Sequence, residues 1–258
     1  MRSDDRDSDE DLGWDLPWDL EWDEVVDVIC VGAGPGVLGY AIVCATNEFD
    51  VLLTHQPSAY DAETMSYLAA MTDDLADCPS RETVQDALQI SRAEPTEIRP
   101  DRRATVETFA GEQLRQWSAC CLASPLGVMV TEVPQLLAPM RTQTGELITA
   151  AVLGASPSAG APLASWLDEQ SQEHRIAAPD EVFDGLIYQD GHLVGAALQS
   201  TQGRRLVRAS AGLAFAVGPA APAGFVLPAQ HAGDVSVALV GRRAGRFARI
   251  ELLAPGQP

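Results

Sequence analysis

The sequence contains no lysine: all 17 basic residues are arginine, and they face 37 acidic residues, for a formal net charge of -20. An excess of negative charge this large repels the phosphate backbone, so a nucleic-acid-binding surface is not expected. Long apolar runs are missing as well, because Gly, Pro or charged residues interrupt each run well before the ~20 residues that a membrane-spanning helix needs. We therefore expect neither a nucleic-acid partner nor a membrane span.

Cysteine is scarce and is not arranged for cross-linking. Five cysteines are an odd number, and no two of them have the CxxC spacing, so neither a disulfide framework nor a zinc site is predicted. The adjacent pair suggests a redox role, but buried structural thiols are favoured because no resolving partner stands at CxxC spacing. The cysteines are Cys30, Cys44, Cys78, Cys120 and Cys121.

Motifs for other chemistries are also absent. The sequence has no Gly-x-Ser-x-Gly elbow, no HExxH and no P-loop. Its four histidines lie far apart without the spacing of metal ligands, so no metal site is predicted, and no catalytic residue is assigned. The N-terminus lacks a basic segment followed by an apolar stretch, so no secretory signal is predicted and the cytoplasm is the expected location.

Residues 1–24 form an acidic arm that contains eleven acids and two arginines. Trp14, Trp18 and Trp22 recur every fourth residue, a spacing that would align them on one face of a helix, although Pro17 disfavours a regular helix. Two interpretations stay open. The tryptophans fold back onto the domain, or they anchor a docking peptide in the groove of a partner chain, either another protein or a second copy.

Residues 25–55 carry the strongest motif. The β-branched run at 25–31 predicts a buried parallel strand, the glycine-rich segment at 32–39 a turn, the apolar stretch at 40–45 a helix, and residues 51–54 a second strand. Strand, glycine turn, helix and strand form the unit that places the pyrophosphate of a dinucleotide at a helix N-terminus. The predicted cofactor-binding residues of this turn are Gly32, Ala33, Gly34, Pro35 and Gly36.

Two positions depart from the dinucleotide pattern. Val37 stands where the third glycine of GxGxxG is expected, although Gly36 and Gly39 flank it. An acid that binds ribose is expected roughly 20 residues beyond the first glycine, and His55 follows the second strand instead. A neutral imidazole accepts one hydrogen bond but does not offer the two charged acceptors of a carboxylate. The alternative is therefore a strand–helix–strand unit kept only for structure.

The remaining chain divides into two regions. We interpret residues 56–160 as a helical insertion, with helices at 61–71, 82–90 and 110–122 and a small-residue loop or crossover at 150–162. The region that follows is predicted to contain the elements of a second pattern. These are a helix at 163–170, a hairpin at 181–199 with an Asp190-Gly191 turn, a buried strand at 211–219 and strands within 235–253.

The segment WDEVVDVICVGAGPG at residues 22–36 resembles the opening of FAD-dependent flavoproteins of the fumarate reductase and 3-ketosteroid dehydrogenase type. The later succession is similar too: a helix around Trp166, the hairpin, and residues 205–218. The resemblance implies a Rossmann-like FAD/NAD(P)-binding α/β fold over residues 25–258, with a central parallel sheet and a small antiparallel hairpin sheet. It also implies FAD as the cofactor, with further contacts from His55, Phe183, Ala216 and Gly218.

The chain also departs from that family. It has Gln56-Pro57-Ser58-Ala59-Tyr60 where a Gly-Gly-Ser-type turn is usual, and Ala216-Val217-Gly218-Pro219 where the closing strand usually ends Ala-Thr-Gly-Gly. These departures favour a shortened, degenerate relative that serves as a non-catalytic or accessory subunit of a larger oxidoreductase assembly. The alternatives are an active FAD-dependent oxidoreductase on an apolar substrate, with its site completed by a partner, and a protein for another nucleotide such as NAD or ADP.

Overall fold

The computed structural model describes residues 20–75, 88–97, 109–132, 135–157, 161–217 and 235–256, and the account of the structure covers these residues. They form helices α1 (Pro35–Thr46), α2 (Ala62–Thr72), α3 (Phe109–Leu122) and α4 (Leu163–Glu173), with a short 3-10 helix at Asp73–Leu75. None of the helices in this part of the chain has both the length and the apolar character required to cross a membrane.

Strands make up most of the regular structure. In chain order they are β1 (Glu24–Val26), β2 (Val28–Val31), β3 (Val51–Thr54), β4 (Ile90–Pro95), β5 (Gly127–Val130), β6 (Ala138–Thr142), β7 (Leu147–Ala155), β8 (Val182–Gln189), β9 (His192–Ser200), β10 (Gly203–Ala209), β11 (Leu213–Ala216), β12 (Ser236–Gly241) and β13 (Phe247–Pro255).

The strands form two sheets in a mixed α/β architecture. The smaller sheet has the order β1-β10-β9-β8, and β8 and β9 are joined at Asp190 and Gly191, as the sequence predicts. The larger sheet has the order β12-β7-β6-β4-β13-β5-β11-β2-β3, and an additional β12–β13 pairing closes five of its strands into a ring. Among the described residues, β3, β2 and β11 form a run of three parallel strands, and β4 and β13 form one further parallel pair in this sheet. The expected parallel sheet is therefore mixed, since most other pairs are antiparallel.

The larger sheet buries apolar side chains on both faces. Along β2, Val28 and Cys30 belong to one core cluster, whereas Ile29 and Val31 belong to the other. Helices α1 and α4 cover the first face. Helices α2 and α3 and the smaller sheet pack on the second face. The result is a layered structure in which β2, buried on both sides, has the continuous apolar sequence expected of a central strand.

The single strand predicted at residues 25–31 is broken at Asp27. The Asp27 carboxylate accepts hydrogen bonds from the Asp50 N–H at 2.9 Å and the Ser210 hydroxyl at 2.6 Å. Residues before this break pair with β10 in the smaller sheet, and residues after it pair with β3 and β11 in the larger one. A polar residue that bonds to two other segments thus divides one β-branched run between two sheets.

The interpretation of residues 56–160 as a helical insertion is wrong for the described residues, because four strands, β4 to β7, lie there beside α2 and α3. Ile90 begins a strand rather than ending a helix, and the segment 82–87 lies outside the described residues. The predicted loop at 150–162 is also incorrect in its first part, since β7 runs to Ala155 between β6 and β12. Alanine has weak β preference, so the pairing with two neighbours decides this segment.

Helix α1 lies unusually close to the sheet at two glycines. A Cβ built on Gly36 would lie 2.5 Å from the Leu126 carbonyl oxygen and closer still to that of Gly127. A Cβ on Gly39 would overlap the tip of the Ile250 side chain. Gly36 therefore meets rigid backbone, whereas Gly39 meets the flexible end of a side chain.

We predict that Gly36→Ala lowers the free energy of unfolding by about 1–3 kcal/mol, the usual cost of overpacking. Gly39→Ala should cost less, because Ile250 can change rotamer. Gly111→Ala is the matched control: Gly111 is exposed in α3, no described atom lies near its Cβ position, and the substitution should gain roughly 0.5–1 kcal/mol. Urea unfolding gives the free energies of unfolding of the three variants, which should rise from Gly36→Ala through Gly39→Ala to Gly111→Ala. Equal stabilities for Gly36→Ala and Gly111→Ala would contradict this order.

Asp61 begins helix α2 as its N-cap. Its carboxylate accepts hydrogen bonds from the N–H groups of Glu63 and Thr64, both at 2.9 Å, and from the Thr64 hydroxyl. Burial alone would raise the pKa of Asp61, but the hydrogen bonds outweigh it and lower the pKa below its ordinary 3.8. The charged cap therefore stabilises the fold above that value, and its contribution is lost as the pH falls through the lowered pKa.

We expect Asp61→Ala to lower the unfolding free energy by about 1 kcal/mol at neutral pH, a typical loss for an N-cap. The difference from the parent should shrink as the pH falls from 3.8 through the lowered pKa of Asp61, because the carboxylate of the parent then becomes protonated. Chemical unfolding at pH 7 and pH 3 measures both effects. Asp168→Ala, at an exposed position within α4, is the control for loss of a carboxylate that caps no helix, and it should change the unfolding free energy at pH 7 by less than Asp61→Ala does.

Candidate dinucleotide site

The glycine turn after β2 requires glycine at its first position. Gly32 has φ of +103°, in the region that favours glycine. Its N–H donates to the Thr54 carbonyl oxygen at 2.8 Å, which ties the turn to the end of β3. A Cβ at Gly32 would lie 2.9 Å from the Ala216 methyl at the end of β11. The turn is thus held between the two parallel neighbours of β2.

The N-terminus of α1 leaves backbone donors available. Gly34 is the N-cap and makes no side-chain capping bond, while Pro35 occupies the start of the helix, where its missing N–H costs nothing. Ala33 is exposed and Gly34 half-buried. Among the described residues, a Cβ at Gly34 would meet only the Ala216 methyl, at 3.5 Å. This space, next to the free N–H groups of the first helical turn, suits an anion.

Val37 does not hold the helix away from the sheet. Its side chain is fully buried in the cluster between α1 and the larger sheet. The close approach that a third glycine would permit is made instead by its neighbour Gly36, against the backbone of residues 126–127. Gly36 therefore provides the close helix–sheet contact that the third glycine of GxGxxG would provide at position 37.

His55 lies at the end of β3, and the chain before β8 runs alongside it. The His55 N–H donates to the Glu181 carbonyl oxygen at 2.8 Å, and the Phe183 N–H donates to the His55 carbonyl oxygen at 2.9 Å. The His55 imidazole is more than half exposed, and its Nε2 lies 3.5 Å from the Asp180 carboxylate. Sequence reasoning missed Asp180, because no local pattern links it to residue 55.

An ion-pair network holds this segment in place. The Arg205 guanidinium donates to both carboxylate oxygens of Glu181, at 2.7 to 3.0 Å, and also to Glu24. Glu181 is only 8% exposed, so its charge is committed to Arg205. The hydrogen bonds that Arg205 donates to Glu181 and Glu24 raise the pKa of Arg205 above its ordinary value, against the effect of burial. The network joins β1, β10 and the segment beside β3.

The other predicted contacts are placed differently. Phe183 is 1% exposed and packs edge-on against Tyr60 and Phe215, at ring-centroid distances of 5.8 and 5.7 Å. It lies in the core between the two sheets. Ala216 lies directly against Gly32, whereas Gly218 falls outside the described residues. Contact of Phe183 and Gly218 with a cofactor stays a prediction.

Tyr60 has a buried hydroxyl that finds no hydrogen-bond partner among the described residues. Burial raises the pKa of Tyr60 to about 12, so the phenol remains neutral. Its ring contacts both Phe183 and Phe215. These ring contacts pack the segment that follows His55 against the core.

Trp22 packs on the smaller sheet. It is half-buried, and its ring lies 3.0 Å from the position a Cβ would take at Gly195 of β9. Asp23 supports this contact, because its carboxylate accepts from the Leu206 N–H at 2.7 Å and its own N–H donates to the Leu206 carbonyl oxygen at 3.0 Å. Trp14 and Trp18 lie outside the described residues.

Comparison with known proteins finds distant likenesses in structure. No protein-family model matches the chain, and no curated protein matches it in sequence. Similar solved structures include a 3-ketosteroid-Δ4-(5α)-dehydrogenase from Rhodococcus jostii RHA1, with 19% identity, 75% of this chain and 46% of that chain covered, and a TM-score of 0.34. A flavocytochrome c3 fumarate reductase has 16% identity, coverage of 75% and 36%, and a TM-score of 0.33.

A third similar structure is the myxobacterial chondrochloren halogenase CndH, described as a variant of FAD-dependent halogenases. It has 15% identity, coverage of 72% of this chain and 36% of that chain, and a TM-score of 0.30. The chain spans less than half the length of these three proteins. The low TM-scores assign no family.

Three of the described cysteines are inaccessible. Cys30, Cys44 and Cys121 are fully buried, whereas Cys120 is exposed. Burial raises the pKa of Cys44 to about 12, and burial also raises the pKa of Cys30 and of Cys121. Cys120 is thus accessible to solvent, whereas the adjacent Cys121 is not. Because their pKa values are raised, the buried cysteines carry almost no thiolate.

We predict that the folded Cys78→Ser/Cys120→Ser double variant shows no thiol that reacts with Ellman's reagent within minutes. After unfolding in guanidinium chloride, three thiols should react, since burial alone protects them. Cys120→Ser alone, the control, reports separately on Cys78. Rapid reaction of a thiol in the folded double variant would contradict the buried positions.

Proposed function

We propose that the chain binds an FAD-type dinucleotide at the N-terminus of α1 and serves as an accessory subunit of an oxidoreductase assembly. The observation that carries the proposal is the open space beside Gly34, at the carboxyl ends of β3, β2 and β11. Backbone N–H groups at the start of α1 supply a positive electrostatic potential there. Ligands of open α/β sheets bind at this edge.

The described residues fit a pyrophosphate group. Gly32 keeps the turn tight, Gly34 presents backbone without a side chain, and Gly36 keeps the helix against the sheet. FAD, where bound, supplies the capacity to accept and return electrons. The part of this chain would be to hold the pyrophosphate by backbone donors and to fix its orientation against the sheet.

Two features support the accessory role. The segment from Gln56 to Tyr60, which stands where the resembling family has a Gly-Gly-Ser-type turn, is held against the core by the Tyr60 ring. The acidic arm is anchored at Trp22 and β1. We infer that the part before this anchor, with Trp14 and Trp18, docks on a partner chain through aromatic contacts.

The central test is a titration of the purified 258-residue chain with FAD, followed by flavin absorbance and fluorescence. Gly34→Ala should weaken binding about tenfold or more, which corresponds to 1.4 kcal/mol or more, because the new methyl enters the space for the phosphates. The fold should tolerate it, since Gly34 has φ of -66° and ψ of 149°. An unchanged unfolding midpoint is the control.

The outcomes separate the functions. Binding of FAD without reduction of an acceptor dye, when NADH or an apolar substrate is supplied as the electron donor, supports the accessory role. Bound FAD with turnover of an apolar substrate, alone or with a partner, would instead establish an active oxidoreductase. Preference for NAD or ADP over FAD would reassign the ligand. Failure to bind any of these nucleotides would refute the proposed function.

A further inference from the structure

The end of β3 receives a carboxylate from a distant part of the chain. In dinucleotide-binding units, an acid at the end of the second strand holds the ribose hydroxyl groups. Here that position is His55, and the residue beside its imidazole is Asp180, with 3.5 Å between Nε2 and the Asp180 carboxylate. An acid therefore lies beside the position where the pattern expects one, although it comes from a different segment of the chain.

The placement of Asp180 is set by backbone pairing on the outer edge of β3. The Leu53 N–H donates to the Ala177 carbonyl oxygen, and the His55 N–H donates to that of Glu181, both at 2.8 Å. The Thr54 hydroxyl also donates to the Glu181 carbonyl oxygen at 2.8 Å. Asp180 lies between these two attachment points, so its Cα cannot move far from His55.

The two neighbouring acids have different tasks. Glu181 is buried and bound by Arg205 through two carboxylate oxygens. The Asp180 side chain is 98% exposed, and its close polar neighbour among the described residues is the His55 imidazole at 3.5 Å. Its remaining carboxylate lone pairs are free to accept hydrogen bonds from a ligand.

We propose that Asp180 supplies the carboxylate that binds the ribose hydroxyl groups of the dinucleotide, with His55 as the residue that positions it. This inference rests on the proposed function and names the group that recognises the sugar. A carboxylate accepts from two adjacent hydroxyls, whereas a neutral imidazole accepts from one. The pair therefore replaces a single acid on β3 by two residues from separate segments.

The experiment compares ADP with 2′-deoxy-ADP as probes, by calorimetry on the 258-residue chain. The parent should bind ADP more tightly than 2′-deoxy-ADP. Asp180→Asn should weaken ADP binding about tenfold, the effect of losing one charged hydrogen bond of about 1.4 kcal/mol, and should reduce the preference for ADP. Asp184→Asn is the matched control: it makes the same charge change on β8, where Asp184 pairs with Arg204, and should leave both affinities unchanged.

A rescue variant tests whether a carboxylate at the end of β3 can replace that of Asp180. His55→Glu/Asp180→Asn places an acid directly after β3 and should recover the preference for ADP over 2′-deoxy-ADP. His55→Glu alone should not improve on the parent, because two carboxylates would then stand side by side and repel.

The possible failures are distinguishable. If the parent binds ADP but Asp180→Asn keeps the full preference over 2′-deoxy-ADP, the role of Asp180 is refuted while nucleotide binding stands. If Asp184→Asn has the same effect as Asp180→Asn, the effect is general electrostatics and the inference is likewise refuted. If the parent binds neither ADP nor FAD, the proposed function and the inference fall together.

Discussion

Helix α1 touches the sheet backbone to backbone at Gly36, and much of the candidate site depends on this contact. The Leu126 and Gly127 carbonyl groups that meet Gly36 belong to a tight turn after α3, in which the Gly127 N–H donates to the Ser124 carbonyl oxygen at 3.1 Å. The Ile250 N–H donates to the Leu126 carbonyl oxygen at 3.1 Å and joins the same turn to β13. Backbone contacts thus set the distance between the helix N-terminus and the sheet. Because no side chain at Gly36 can change rotamer, this distance can vary little.

Several arginines of this acidic chain join separate segments. Arg205 links Glu24 and Glu181, and Arg242 pairs with Glu146 at 2.9 Å. Arg242 and Arg249 both lie over the ring of Trp117, at 4.1 and 4.8 Å from its centroid. The planar guanidinium group binds carboxylates through several hydrogen bonds and stacks on aromatic rings, which an ammonium group does less well. This chemistry is consistent with a chain whose only basic residue is arginine.

The local structure of the candidate site was predictable in part because its signals are local. The glycine turn follows a β-branched strand and precedes an apolar helix, so Gly32, Gly34 and Gly36 were recognisable from spacing. Spacing alone did not show whether Val37 prevents close packing of α1 on the sheet. The answer depends on the position of the backbone at residues 126–127, which contacts Gly36. Asp180 was not predictable at all, because its approach to His55 requires the segment before β8 to pair with the edge of β3.

The sequence by itself determined the strand–turn–helix–strand unit, the Asp190-Gly191 hairpin and helix α4, since each follows from periodicity and turn residues within a few positions. Tertiary structure alone decided the division at Asp27, the ring closed by β12 and β13, and the strand at β7. Pairing between strands distant in sequence satisfies backbone hydrogen bonds that no local pattern specifies. An alanine-rich segment such as β7 therefore takes its conformation from the neighbours that it meets.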